Sequence, residues 1–195
     1  MILEKLNNYN IILASKSPRR QELLSQLDIN FKVADIIDVD ESYDDSIVAG
    51  DIPIYLSKKK AEAYLNTLEG NDILITADTI VWLNNKALNK PKDRVEAIEM
   101  IKSLSENSHK VFTGVTITSL EKSFSFVAET DVYFKQLTND EVIYYVDKYK
   151  PFDKAGAYGI QEWIGYIGIT KIEGSYFNVM GLPVQQLYTE LDKFI

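Results

Sequence analysis

Residues 12–27 read ILASKSPRRQELLSQL, and the succession of residue types in this stretch points to the fold. Ile11–Ala14 is a short apolar run, read as a buried strand, and Ser15-Lys16-Ser17 is a polar turn. Ser17 is suited to cap orphan helix N–H groups, and Pro18 fits the first helical position. Leu23, Leu24 and Leu27 then form the apolar stripe of a short amphipathic helix. Arg19 and Arg20 break the pattern, because the helix dipole disfavours cations in a first turn. In one reading they point outward and pair with Glu22 or a neighbouring acid, at a cost of only about tenths of a kcal/mol. In the other, the turn and helix start form an anion cradle, where backbone N–H groups meet a phosphate that the arginines clamp. The residues alone leave both open.

Outward from this stretch the chain alternates between helical and strand patterns. Phe31–Ile37 reads as a second strand, and DVDESYDD (Asp38–Asp45) as a solvated acidic loop. Residues 51–67 read as a helix with Leu56, Lys60 and Tyr64 on one face. Asp72–Leu83 is a long apolar, β-branched stretch, and Asn84-Asn85-Lys86 a hairpin turn. Asp93-Arg94-Val95-Glu96 is an acidic capping box opening a helix to Leu104, and Thr138–Glu141 another, opening a helix to Tyr149. Phe124, Phe126, Ala128, Thr130, Val132 and Phe134 alternate as a half-buried strand requires, with 111–118 as hairpin partner. Lys150–Tyr158 reads as loop and Ile164–Ile172 as strand. Pro183–Phe194 reads as a closing helix with Val184, Leu187, Leu191 and Phe194 inward. Gly174-Ser175-Tyr176 and Gly181-Leu182-Pro183 read as turns. With no repeat, low-complexity tract or linker, this order predicts an α/β chain with a mixed sheet.

Composition removes whole classes of function. At 195 residues and 46% hydrophobic content, the chain can bury a core as one domain or two closely packed lobes. A net charge of −8 argues against general nucleic-acid binding, which calls for a basic face. Without cysteine there is no disulfide, thiol nucleophile or thiolate metal site. The segment MILEKLNNYN lacks a signal-peptide pattern and no apolar run approaches a membrane span, so a soluble cytoplasmic protein is expected. The single histidine, His109, lies in the polar stretch SENSHK, read as a loop, and is not assigned to catalysis. Any metal must then be held mainly by carboxylates, which favours Mg²⁺ or Mn²⁺.

Three further features carry chemistry. Asp78 sits in ILITADTIV, where a carboxylate among apolar neighbours must find a cation, a donor or a proton. It is either a bulge residue satisfied by backbone donors, or a rigid metal ligand or general base. Pro91 restricts Lys90 to extended backbone and so limits where its side chain is aimed. In DKAGAYGIQ (Asp153–Gln161), two glycines and two alanines permit close backbone approach, and Gln161 offers both donor and acceptor for a base edge. A tight loop packed on the sheet is the plainer alternative.

LASKSPRRQELL, ADTIV, NKPKD, DKAGAYGIQ and GSYFNVMGLP, in this order and spacing, resemble the Maf family of nucleoside triphosphate pyrophosphatases over essentially the whole chain. Within that family the sequence is similar to the branch acting on dTTP and UTP. The resemblance implies a single domain over 1–195, with a twisted mixed sheet flanked by helices, in two lobes around a central cleft, related to the inosine triphosphate pyrophosphatases. It implies that Asp78 is general base and metal-associated, with Glu41 as an acidic residue near a divalent metal, Mg²⁺ or Mn²⁺. Ser15, Arg19 and Arg20 match the phosphate-binding turn. Arg20, Thr79 and Gln161 match the specificity positions, and Lys60 and Lys90 the catalytic lysines. Lys16 replaces a glycine common in other members. Glu162 and Trp163 stand where many members have small residues, which would alter the lip of the base pocket.

The implied reaction is metal-assisted attack of water on the α-phosphorus, giving a nucleoside monophosphate and pyrophosphate. The expected partner is a nucleoside triphosphate, dTTP or UTP. No nucleic acid or membrane is expected, and a homodimer is compatible. Two rivals stand: the sister branch acting on 7-methyl-GTP, and a non-catalytic regulator of septum formation and cell division that binds nucleotides. Arg20, Thr79 and Gln161 weigh against the first, and Asp78 would be superfluous in the second.

Overall fold

The first strand and the helix that follows it form where the residue pattern places them. The computed structural model describes residues 1–195. After α1 (Ile2–Leu6), strand β1 (Asn10–Leu13) leads through the polar turn into α2 (Pro18–Ser25). Ser17 caps α2, its side chain accepting the Arg20 N–H, and Pro18 occupies the first turn. Then come β2 (Phe31–Val33), α3 (Asp51–Ala63), β3 (Asp72–Leu83), β4 (Lys86–Leu88), α4 (Arg94–Leu104), β5 (Ser108–Thr118), β6 (Ser123–Phe134) and α5 (Asn139–Tyr149). The chain closes with α6 (Trp163–Gly168), β7 (Ile169–Glu173), α7 (Tyr176–Met180) and α8 (Val184–Phe194). Of the two expected capping boxes, Thr138 and Glu141 close theirs with bonds of 2.8 and 3.2 Å; Asp93 caps α4 by accepting the Glu96 N–H at 2.9 Å, while the Glu96 carboxylate accepts from the Lys92 N–H instead of returning the bond.

Seven strands form one sheet in the order β2-β1-β3-β5-β6-β7, with β4 also paired to β3. β1 runs parallel to β2 and β3, Ile11 standing opposite Phe31 and Ile73, whereas β3–β4 and β6–β7 are antiparallel. The sheet is mixed, as the element order predicts. β3, flanked on both sides, is buried along nearly its whole length, which is why its sequence is apolar on both faces. No helix is long and apolar enough to cross a membrane.

The chain divides into two compact units. The first comprises Met1–Asp78, Thr113–Ala128 and Gly181–Ile195. Its core includes Leu13, Leu24, Ile52, Ile73, Ile75, Leu187 and Leu191. The second comprises Thr79–Phe112 and Glu129–Met180, around Ala97, Ile101, Leu104, Val132, Tyr145 and Val146.

In the first unit α3 lies hard against the sheet. A Cβ on Gly114 of β5 would stand 2.3 Å from the carbonyl carbon of Pro53, so only glycine lets the helix approach. Hydroxyls then fix its register. Thr76 donates to the Ser57 carbonyl at 2.7 Å, and the Ser57 and Thr116 hydroxyls are 2.8 Å apart.

The structure departs from the sequence pattern in several places. α1 and α7 form where no helix was expected. The second strand ends at Val33 rather than Ile37; Ile36 and Ile37 are exposed, and the Ile37 N–H bonds the Tyr64 hydroxyl at 3.0 Å instead of a strand. Residues 164–168 are helical despite their β-prone composition, because Trp163, Ile164 and Ile167 present one helical face to the core of the second unit. That helix starts against the preceding turn so closely that a Cβ on Gly165 would lie 1.8 Å from the Ile160 carbonyl oxygen.

His109 is not in a loop. It is the second residue of β5, buried, with Nε2 at 2.7 Å from the Tyr158 hydroxyl and its ring tilted against Phe134. Burial pushes its pKa from 6.5 down to about 4, so the folded chain holds it neutral. The resulting stability is full above pH 6.5 and is lost as pH falls towards 4, because the unfolded chain takes up a proton that the folded chain refuses. The loss reaches about 3 kcal/mol. Urea midpoints measured across this range should fall with acidification, and His109→Gln should flatten that part of the profile.

Candidate active site

Two pairs of residues, about one helical turn apart, join α3 to β3. Ser57 and Lys60 share a face of the helix, and Thr76 and Asp78 share a face of the strand. The first pair is the hydroxyl clamp described above. The second is ionic: Lys60 Nζ lies 2.6 Å from Asp78 Oδ1 and 2.8 Å from Glu41 Oε1. Asp78 is only 9% exposed, so the lysine supplies the counter-charge that a buried carboxylate demands. Glu41 arrives from the acidic stretch 38–45, which is therefore tied down in part: Asp40 also pairs with Lys59 at 3.3 Å.

The arginine question resolves in an unexpected way. Arg20 is half-buried, donating from Nε to the Gly181 carbonyl at 2.7 Å and from Nη1 to the Ala77 carbonyl at 2.8 Å. It thus ties the start of α2 to the residue before Asp78 and to the turn ahead of α8. Desolvation lowers its pKa; the carboxylates of Asp78 and Glu41 oppose that, and the neighbouring Arg19 adds to it. Arg19 is half-buried as well. Arg19, Arg20 and Lys60 thus set three cations against the two carboxylates of Glu41 and Asp78, leaving one positive charge in excess. The turn itself is preformed. Ser15 is buried, its hydroxyl accepts the Ser17 N–H at 3.2 Å, and its carbonyl accepts from the Gln21 amide at 3.0 Å.

Of the residues singled out in the sequence, Ser15, Arg19, Arg20, Glu41, Lys60 and Asp78 belong to the first unit, and the five charged ones interact with one another. Thr79, Lys90 and Gln161 belong to the second. Thr79 follows Asp78 on β3 and is half-buried; Lys90 is exposed just before Pro91. Gln161 is half-buried in a turn closed by the Glu162 N–H donating to the Gly159 carbonyl at 3.0 Å. The glycine-rich segment before it is anchored beside Lys90, because the Gly156 N–H donates to the Asn89 carbonyl at 3.3 Å. Gly156 has φ +67°, and a Cβ there would meet Val81 at 2.9 Å, so glycine is required twice over.

Whether this site suits a metal can be judged from its donors. Asp78 and Glu41 converge on one cation, the Lys60 ammonium. No group of three or more His, Cys, Asp and Glu side chains gathers anywhere in the chain in a way that could hold a metal ion. Two carboxylates alone suit a hard divalent ion that completes its shell with phosphate oxygens and water, and do not suit a closed zinc site.

The fold and site define a mixed α/β protein with a cation-rich strand-to-helix turn beside a buried acid–lysine pair. The fold matches that of a HAM1 protein from Coxiella burnetii, with a TM-score of 0.51 at 16% identity over 95% of this chain and 99% of that one. Residues 10–194 match the Maf-like protein family, and the chain belongs to that family. Among its relatives is a dTTP/UTP pyrophosphatase of Bacteroides thetaiotaomicron, 55% identical over 98% of this chain and 100% of that protein. Another is a dTTP/UTP pyrophosphatase of Parabacteroides distasonis, 55% identical over 99% of this chain and 100% of that protein. A dTTP/UTP pyrophosphatase of Flavobacterium johnsoniae is 47% identical over the full length of both.

Sequence reasoning did not find the backbone role of Arg20. The signal lay in the GLP turn, whose Gly181 carbonyl accepts from it, and that turn was assigned to structure alone. Replacing Arg20 by Ala removes two charge-assisted bonds and leaves two carbonyls without that donor. The unfolding free energy without nucleotide should fall by roughly 2–4 kcal/mol, read from the urea midpoint.

Proposed function

We propose that this chain hydrolyses dTTP and UTP to the nucleoside monophosphate and pyrophosphate, with Asp78, Lys60 and Lys90 as catalytic residues. The observation that carries the reading is Asp78 itself, a buried strand carboxylate in contact with Lys60 and surrounded by an excess of cations. The relatives named above, matched over their whole length at 47–55% identity, support the substrate class.

In this reading the triphosphate meets the start of α2, where the helix dipole favours an anion and the side chains of Ser15 and Arg19 receive phosphate oxygens. Arg20, already committed to two carbonyls, contributes charge from a fixed position. Asp78 orients a water molecule and accepts its proton as the water oxygen bonds to the α-phosphorus. The bond from that phosphorus to the bridging oxygen breaks, and pyrophosphate leaves. Lys60 and Lys90 offset the charge that develops on the departing oxygens. A divalent ion, Mg²⁺ or Mn²⁺, held by Asp78 and Glu41 would supply further neutralisation of the phosphates when bound. The protein would act in the cytoplasm.

Thr79 and Gln161 would meet the base. Thymine and uracil share an N3–H donor flanked by two carbonyl acceptors, so one amide serves both by donating to a carbonyl and accepting from N3–H. Cytosine presents an acceptor at N3 and an amino group at C4. A mismatched buried hydrogen bond discriminates more strongly than the thymine methyl does.

Two measurements test this. In a nucleotide panel with Mg²⁺ or Mn²⁺ and pyrophosphate as readout, dTTP and UTP should be cleaved at similar rates. CTP, ATP and GTP should be slower by about a hundredfold or more. Equal cleavage of CTP and UTP would remove the base-reading role of Gln161. Asp78→Asn should keep its fold, judged by circular dichroism, and lose roughly 10²–10⁴ in kcat. A folded variant with full turnover would remove Asp78 from the reaction.

A further inference from the structure

Gln161 sits in a turn whose two ends are held by one hydroxyl. Tyr145, on α5, is fully buried, and its oxygen accepts the Gly159 N–H at 3.0 Å. The same hydroxyl donates to the Glu162 carboxylate. Gly159 and Glu162 are also the first and last residues of the turn, joined by their own backbone bond of 3.0 Å. The other Glu162 oxygen lies 3.1 Å from Lys154 Nζ, and that lysine is buried, with Asp153 as its second partner at 2.8 Å. On the preceding residue, the Tyr158 hydroxyl is fixed by His109 at 2.7 Å. There is no room to loosen the arrangement, since even a Cβ on Gly159 would come within 2.8 Å of the Glu162 carboxyl carbon.

We infer that Tyr145, Glu162 and Lys154 are positioning residues for nucleotide selection, holding the turn so that the Gln161 amide meets the base edge at a fixed place; this rests on the base-reading role proposed above for Gln161. A buried lysine and a buried tyrosine hydroxyl are more than a surface turn needs. Each is a polar group removed from water, and each is satisfied only within this relay. The relay grips the Gly159 N–H on one side of the Ile160–Gln161 pair and the Glu162 side chain on the other, so it constrains the backbone that aims the glutamine while leaving the glutamine side chain itself to the ligand. Loss of the tyrosine hydroxyl would free the Gly159 N–H and one Glu162 oxygen together. The turn would then sample more positions, and the amide would spend less time where uracil needs it.

The test compares kcat/KM for UTP and CTP in the parent chain, Tyr145→Phe, Gln161→Ala and the double variant. Thermal midpoints are measured alongside. Tyr145→Phe should lower the UTP-to-CTP ratio about fivefold, the effect of one hydrogen bond, mainly through a higher KM for UTP with kcat nearly unchanged. In the Gln161→Ala background the same substitution should leave the ratio where Gln161→Ala put it. Should Tyr145→Phe not fold, Glu162→Gln carries the same measurement, since it keeps the side-chain shape and removes the ion pair with Lys154. It too should lower the ratio only when Gln161 is present. A folded variant with a lowered thermal midpoint and an unchanged ratio would reduce the relay to ordinary packing and overturn the inference. So would a ratio that falls equally with and without Gln161. If Gln161→Ala itself leaves the ratio unchanged, the base-reading role fails first and the inference with it, so the two failures are distinct.

Discussion

The first unit is organised around a carboxylate that cannot be buried alone. Asp78 is fixed in a strand that is buried along nearly its whole length, and an uncompensated charge there would cost several kcal/mol. Lys60 supplies the compensation at 2.6 Å, but only if α3 keeps one register and one distance from β3. The residues beneath the pair meet that requirement. Gly114 allows the helix to lie against β5, and the Thr76–Ser57 and Ser57–Thr116 bonds stop it from sliding. An ion pair of this kind adds little net stability over an apolar pair, though breaking it by removing one partner is expensive. What the pair does achieve is to hold a carboxylate, a lysine and Glu41 at one point.

Local charge and global charge have opposite signs here. The chain carries −8 overall, which repels a nucleotide at long range, although salt screens that repulsion beyond about 10 Å. In the proposed site the attraction would come from the local excess formed by Arg19, Arg20 and Lys60, helped by the dipole of α2. Arg20 shows how two cations are tolerated at the positive end of a helix. Its guanidinium is drawn off by two carbonyls, whose partial negative charge offsets the dipole, and the Asp78 and Glu41 carboxylates add to this. The unfavourable placement therefore turns favourable only in the folded chain, where the carbonyls of Ala77 and Gly181 come within reach.

Legibility in the sequence followed how local each signal was. The capping boxes, the α2 start, the β5–β6 alternation and the stripe of α8 depend on neighbours within a few residues, and these were readable. The mixed sheet also emerged. An acid in an apolar strand and cations at a helix start are anomalies that one sequence can display, and the fold brings these charged side chains together. Features set by distant partners were not readable. The helix at 163–168 is composed of residues that favour strands, and packing against the second core overrides that preference. His109 stands in a polar stretch, yet strand pairing buries it, with Tyr158 as partner 49 residues away. The same holds for Arg20, whose acceptors lie 57 and 161 residues off.

Hydrogen-bond reading of a base by a glutamine carries a built-in ambiguity. The amide presents a donor at one end and an acceptor at the other, and a half-turn about its last bond exchanges them. A glutamine free to turn and shift could satisfy uracil in one orientation and much of cytosine in the other, so residue type alone cannot discriminate. Discrimination follows when the amide is held at a place where only one orientation also satisfies its surroundings. Holding the Cα is the first condition, since a side chain with three torsions amplifies any backbone drift. A turn whose ends share one buried hydroxyl meets that condition with a single group. With Gln161 in the proposed role, the lysine, glutamate and tyrosine that the second unit keeps together below this turn would serve that end.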